Sequence, residues 1–206
     1  MNDAIIFDLD GTLWNASAST TKGWNKGLEE LGISKKITVK EIEKVTGKPH
    51  KECVEILFPN FKKYPTFFET LDSNEKKIIE SEGGILYDDE VADGIKKLSK
   101  KFPLFIVSNC LTWYLKAFLK SSGLEKYIKD FDCCEMSGAP KNEMIANLKN
   151  KYFLKNPIYI GDTVGDQEAA KLAQVEFAYV SYGFGETKKK CLTFSSFPEL
   201  VKYFII

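Results

Sequence analysis

The sequence predicts an α/β fold: a doubly wound, mostly parallel sheet with a small all-helical unit inserted after its first strand. Three observations carry that reading. Short apolar runs, rich in β-branched and aromatic residues, recur at 4–7, 104–107, 131–134, 157–160 and 177–180, as strands buried on both faces do. Helical patterns fall between most of them, and strand and helix alternate from residue 86 onwards. Residues 15–85 break that rhythm: they hold helical spacings, show no strand, and are punctuated by Pro49, Pro59 and Pro65.

The first run, Ala4 to Phe7, leads into Asp8-Leu9-Asp10-Gly11-Thr12. Side chains alternate along a strand, so Asp8 and Asp10 share a face if strand geometry persists through both. Gly11 lets the chain turn sharply there. A carboxylate pair in such a turn suits one group as nucleophile or metal ligand and the other as proton carrier. The insertion then offers four apolar groups at helical spacing: Trp24, Leu28 and Leu31; Ile42 and Val45; Val54, Ile56 and Leu57; Phe67, Phe68 and Leu71. An insertion at this point sits above the carboxyl ends of the strands, where doubly wound sheets bind ligands. Residues 1–14 and 86–206 therefore form the α/β unit and 15–85 the helical one.

Beyond the insertion, Val91, Ile95 and Leu98 share one helix face, as do Leu115, Phe118 and Leu119, and Met144, Ile145 and Leu148. Cys133 and Cys134 are expected on opposite faces of a strand. A short strand near Leu192–Phe194 and a helix over Ser195–Ile206 close the chain. Lys188-Lys189-Lys190 reads as a solvated run. Trp24, Trp113 and Phe118 fit core positions better than ligand platforms.

Composition narrows the function. The 206 residues are 44% hydrophobic and 28% charged, with a formal net charge of zero, so nucleic acid and anionic membrane are poor partners. Every basic residue is lysine, so an anion site must use lysine, hydroxyls, backbone N–H groups or a metal. One histidine, His50, and five cysteines without a Cys-x-x-Cys pair give zinc few ligands and suit reduced thiols. No apolar stretch approaches the roughly 20 residues of a membrane span, and the first residues do not resemble a signal peptide. These features set the expectation of a cytoplasmic protein.

Three further strand ends carry polar groups. The run 104–107 ends in Ser108-Asn109, where a hydroxyl and free N–H groups can seat an anion. Lys141 opens a helix after Gly138-Ala139-Pro140. The run 157–160 ends in Gly161-Asp162-Thr163-Val164-Gly165-Asp166. Singly, each has a plainer reading: Asp162 and Asp166 as a helix cap and a surface acid, Lys141 as a surface lysine, Ser108-Asn109 as a cap, Thr12 and Thr163 as turn and cap hydroxyls. Together, four acids, one lysine and one serine fit a hard cation plus a phosphoryl group.

In this order the four segments resemble the signature motifs of the haloacid dehalogenase superfamily of aspartyl-nucleophile phosphatases. The insertion is similar to that family's helical cap. Val180-Ser181-Tyr182-Gly183-Phe184-Gly185 and Tyr87-Asp88-Asp89-Glu90-Val91 resemble its phosphoglycolate phosphatase and β-phosphoglucomutase branch. The resemblance implies that Asp8 is the nucleophile and Asp10 the acid and base. It implies phosphoryl contacts from Ser108, Asn109 and Lys141, and Mg2+ on the Asp8 carboxylate, the Asp10 carbonyl and Asp162. Asp166 then orients Lys141 or a metal-bound water. Gly47-Lys48-Pro49-His50-Lys51 resembles the cap loop that faces the site, which makes Lys48, His50 and Lys51 candidates for the far end of the substrate. Asn15 stands where many relatives carry an acid.

The function implied is hydrolysis of a small phosphorylated metabolite. A phosphosugar mutase, a phosphonatase using Lys48 or Lys51, a phospho-accepting receiver and a non-catalytic binding protein are the alternatives. Asp10 argues against a dehalogenase. Thr20, where hexose-phosphate mutases carry histidine, argues against a mutase. The long insertion after the first strand argues against a receiver. Oligomeric state is not legible.

Overall fold

The computed structural model describes residues 2–187 and 190–205. The chain enters through β1 (Ala4–Phe7) and β2 (Trp14–Asn15), then forms four helices, α1 (Ser17–Glu30), α2 (Val39–Val45), α3 (His50–Leu57) and α4 (Phe67–Glu82). It returns through β3 (Ile85–Leu86), α5 (Val91–Leu98), β4 (Leu104–Ser108), α6 (Thr112–Ser122), β5 (Asp130–Cys133) and α7 (Cys134–Ser137). The last third comprises α8 (Lys141–Lys151), β6 (Pro157–Gly161), α9 (Val164–Leu172), β7 (Glu176–Val180), β8 (Leu192–Phe194) and α10 (Phe197–Ile205).

Six strands pair in the order β5-β4-β1-β6-β7-β8, every pair parallel. β1 is central: Ile5 lies beside Leu104 on one side and Ile158 on the other. The chain passes from β1 to β4 and β5, then crosses to β6, β7 and β8. The loops after β1, β4 and β6 therefore open into one crevice at the switch point. Period two sorts the strand residues. Ile5, Phe7, Ile106 and Ile160 join the cluster under α5, α6 and α10, while Ala4, Ile6, Phe105, Val107 and Tyr159 join the one under α8 and α9. Covering both faces is why the strands read as unbroken apolar runs. Val91, Ile95 and Leu98 are fully buried, and each such side chain contributes about 1.5–3 kcal/mol.

The helical unit has its own core of Trp24, Leu28, Val54, Phe67 and Leu71. α1 lies close against α4 because Gly23 and Gly27 present no side chain there: a Cβ at Gly23 would overlap the Glu75 main chain, and one at Gly27 would stand 3.1 Å from the Leu71 Cα. The two chain crossings between the units pair as a small antiparallel ribbon, Trp14 beside Leu86 and Asn15 beside Ile85. Trp14 anchors it, its ring 5.1 Å from Tyr114 and 5.4 Å from Phe118.

Several expectations change. Asn15 and Ile85 are strand residues, missed because a two-residue strand has no period. β5 ends at Cys133, so Cys134 starts α7 and does not face across a strand. Ile56 points to solvent, and Leu31 follows the end of α1. The last helix begins at Phe197. Of the lysine run, Lys190 is exposed and Lys188 and Lys189 lie outside the described residues. No described helix is long and apolar enough to cross a membrane.

Candidate active site

Strand geometry stops at Phe7. The Leu9 carbonyl accepts the N–H groups of Thr12, Leu13 and Trp14, which curls the chain into a tight turn. Asp8 and Asp10 consequently do not share a strand face; they meet different partners. Gly11, with φ +85°, completes the turn, and a side chain there would overlap the Asp162 carboxylate.

Asp8 is buried at the end of β1, and its Oδ1 accepts from Lys141 Nζ at 2.8 Å. The same ammonium donates to Asp166 Oδ1 at 2.7 Å, so one lysine is held between two acids. The other Asp166 oxygen accepts from the Thr163 hydroxyl at 2.6 Å and its N–H at 3.0 Å, closing a capping box on α9. Asp166 is thus a cap and the orienting group for Lys141 at once, and it is fully buried rather than a surface acid. Asp162 Oδ2 accepts from the N–H groups of Phe184 at 2.7 Å and Gly185 at 3.3 Å. Asp8 Oδ2 and Asp162 Oδ1 are buried without a hydrogen-bond partner. Asp8, Asp162 and Asp166 each place a carboxylate oxygen within 4.8 Å of the others. Two orphaned oxygens in a buried acidic trio fit a hard divalent cation.

Residues 5–180 match the family model for haloacid dehalogenase-like hydrolases. The chain belongs to that family. A haloacid dehalogenase-like family hydrolase from Streptococcus pneumoniae shares the fold at TM-score 0.84 and 23% identity, over 98% of each chain. A protein from Clostridium acetobutylicum described as a predicted phosphatase superposes at 0.81 with 21% identity, again over 98% of each. One from Haemophilus somnus described as a predicted phosphoglycolate phosphatase gives 0.83 at 18%, covering 98% of this chain and 97% of that one. No curated protein matches the sequence.

In this hydrolase the second aspartate of the first motif sits apart from the acidic trio. Asp10 Oδ1 accepts from the Tyr114 hydroxyl at 2.6 Å. Burial pushes the Asp10 carboxyl up to about 6, against the pull of Tyr114. Burial also pushes Asp8 up, opposed by Lys141 and reinforced by Asp166 and Asp162. Asp162 rises to about 7 through burial and Asp166. Lys141 rises because the two acids outweigh its own burial.

Ser108 is buried at the end of β4, its Oγ accepting the Cys110 N–H at 3.3 Å. α6 begins only at Thr112, so Ser108 and Asn109 do not cap it. Asn109 Nδ2 instead donates to the Gly47 carbonyl at 2.8 Å, which brings the loop of the helical unit onto the end of β4. The cavity beneath that loop opens to solvent and is lined by Asp8, Asp10, Ser108 and Asn109.

The three loop candidates separate. Lys48 lines the cavity but pairs with Glu52 at 2.9 Å. His50 lines it with its Nε2 2.9 Å from Asp72 Oδ1, off the line of a hydrogen bond. Lys51, 75% exposed, is not among the lining residues. Asn15 Oδ1 accepts from the Ser17 N–H and hydroxyl and so secures the start of α1. Trp24 and Trp113 line the cavity as well, whereas Phe118 is core.

Three participants are absent from the sequence reading. Tyr114 was not distinguished from its helical neighbours, and Tyr159 read as one more strand residue. Tyr159 donates to the Val107 carbonyl at 3.0 Å, with its hydroxyl 3.5 Å from Asp8 and 3.4 Å from Asp166. Glu75, buried in α4, accepts from the Thr20 hydroxyl and the Trp24 indole N–H, both at 2.7 Å. Thr20 thereby serves Glu75. Only the phenolic tips of the tyrosines and a carboxylate inside a helical pattern were there to be noticed.

Proposed function

We propose that this hydrolase is a Mg2+-dependent phosphatase that cleaves a small phosphomonoester through an aspartyl-phosphate on Asp8. One observation carries the reading. Asp8 is fixed by Lys141 through one oxygen, while its other oxygen and Asp162 Oδ1 are unpartnered in one buried acidic trio. A nucleophile needs an oxygen not tied up in hydrogen bonds, and a hard cation needs such carboxylate ligands.

Asp8 attacks phosphorus as the bond to the leaving oxygen breaks. Asp10, its carboxyl raised toward neutrality, gives the leaving oxygen a proton and then takes one from the water that cleaves the acyl phosphate. Lys141, held by Asp8 and Asp166, offers its positive charge to a phosphoryl group bound beside Asp8. Ser108 and Asn109 hold its oxygens. Asp8, the Asp10 carbonyl and Asp162 would hold Mg2+. Bound there, the ion offsets repulsion between the Asp8 carboxylate and an incoming phosphate dianion.

The test is phosphate release from a panel of small phosphomonoesters, with magnesium or with chelator, for wild type and Asp8→Asn. Release by wild type only, and only with metal, is expected, with Asp8→Asn down by about 10³-fold or more. Near-normal turnover by a clean Asp8→Asn preparation would sink the mechanism. Isomerisation of a sugar phosphate without net release would favour a mutase, and release from a phosphonate alone a phosphonatase.

A further inference from the structure

The cavity has a second wall, contributed by the helical unit, and its chemistry differs from that of the catalytic wall. Glu75 lines the cavity from α4. Thr20 binds one of its oxygens and Trp24 the other, so each oxygen retains one accepting site. The close approach of α1 to α4 at Gly23 brings Thr20 and Trp24 within reach of Glu75. Lys48 and His50 are the cations among the described lining residues, and each already faces its own acid, Glu52 and Asp72. Ile42, Val45 and the rings of Trp24 and Trp113 supply the remaining surface.

We propose that Glu75 selects the leaving group: it accepts a phosphomonoester whose far end carries a hydrogen-bond donor or a positive charge, and turns away one ending in a carboxylate or second phosphate. The inference rests on the phosphatase reading and adds the class of alcohol released. A buried carboxylate with open accepting sites pairs with an ammonium or hydroxyl. It repels a second anion, and among the described lining residues the two cations that could screen it, Lys48 and His50, each face an acid of their own. The indole faces favour an ammonium further. The expected substrate is thus a small amino- or hydroxyalkyl phosphate, which would separate this hydrolase from a phosphoglycolate phosphatase.

Four two-carbon esters test it: ethyl, 2-hydroxyethyl and 2-aminoethyl phosphate, and phosphoglycolate, each assayed for kcat/KM with magnesium. Wild type should rise along the first three and favour 2-aminoethyl phosphate over phosphoglycolate by about tenfold or more, or about 1.4 kcal/mol. Glu75→Gln, checked for folding by circular dichroism, should bring that ratio close to one. Equal or faster cleavage of phosphoglycolate by wild type overturns the proposal, as does an unchanged ratio in folded Glu75→Gln. If the variant does not fold, the wild-type series decides alone: a flat or falling order overturns the proposal. No release from any of the four while another phosphomonoester of the panel is cleaved overturns the proposal; no release from the whole panel would instead remove the phosphatase reading beneath it.

Discussion

Two acidic clusters face the same cavity region, and they are built to different ends. At the strand ends Asp8, Asp162 and Asp166 surround Lys141, yet Asp8 Oδ2 and Asp162 Oδ1 keep no partner. In the helical unit His50, Asp72 and Glu75 lie equally close; both Glu75 oxygens accept hydrogen bonds, while Asp72 Oδ1 lies 2.9 Å from His50 Nε2 as an ion pair without one. Buried polar atoms without partners carry a penalty of about 1–3 kcal/mol each, more when charged, which a bound cation relieves. The first cluster gains from a metal. In the second, the open Asp72 oxygen already faces a ring whose basicity it raises, so a metal would have to displace that pair. Proximity of acids therefore does not define a metal site; negative charge left without a cation of its own does.

Magnesium should expose that difference most strongly. At 100 times its dissociation constant a ligand specific for the folded state stabilises by about 2.7 kcal/mol. For a chain of this size that raises the thermal midpoint on the order of 5–10 °C. Asp162→Asn should lose most of this shift, and Asp72→Asn should keep it, as read by scanning calorimetry with magnesium against chelator. The reverse pattern would move the metal to the helical cluster and break the comparison.

The two clusters also depend on different scaffolds. The first hangs on strands whose register is fixed from both sides of β1. The second depends on the close approach of α1 to α4. Gly23→Ala adds a methyl group that must push the Glu75 main chain away. Overpacking of this kind costs about 1–3 kcal/mol, of which alanine's better helix propensity offsets about 1 kcal/mol, so a net loss of up to about 2 kcal/mol in urea unfolding is expected. The preference for 2-aminoethyl phosphate over phosphoglycolate should shrink in the same variant, with cleavage of ethyl phosphate less affected. A gain in stability, as propensity alone would give, would show that the contact at Gly23 is not tight.

This contrast also explains what the sequence made legible. The strand-end cluster could be read because parallel strands bury both faces, so polar residues at the ends of apolar runs stand out, and their order along the chain fixes where they converge. Asp8, Lys141, Asp162 and Asp166 were found on that ground. The shared face of Asp8 and Asp10 was conditional on strand geometry persisting through both, and that condition fails past Phe7, where the Leu9 carbonyl curls the chain. Glu75 could not be found in this way. Its partners Thr20 and Trp24 are 55 and 51 residues distant and belong to another helix, so only the packing of α1 on α4 brings them together. Tyr159 was read for its ring, which is core, and not for its hydroxyl, which reaches the acids.

His50 offers the smallest and most local test. Burial lowers its basicity, but Asp72, by contact and charge, and then Glu75 and Glu135 raise it further, so the net shift is upward from the ordinary 6.5. The ring also stands between Trp24 and Phe68, which limit its access to water. A raised value in the folded state means that the folded protein binds the proton more tightly than the unfolded chain. The resulting stabilisation is complete below about 6.5, the unfolded value, and is lost as pH rises through the folded one. Because both partners are partly exposed, it should amount to less than about 1 kcal/mol. Proton resonances of the single imidazole should titrate above 6.5 in wild type and move down in Asp72→Asn. A wild-type midpoint at or below 6.5 would mean that His50 is not committed to Asp72. It would then be largely neutral at pH 7, and the rejection of anionic leaving groups would rest on Glu75 alone.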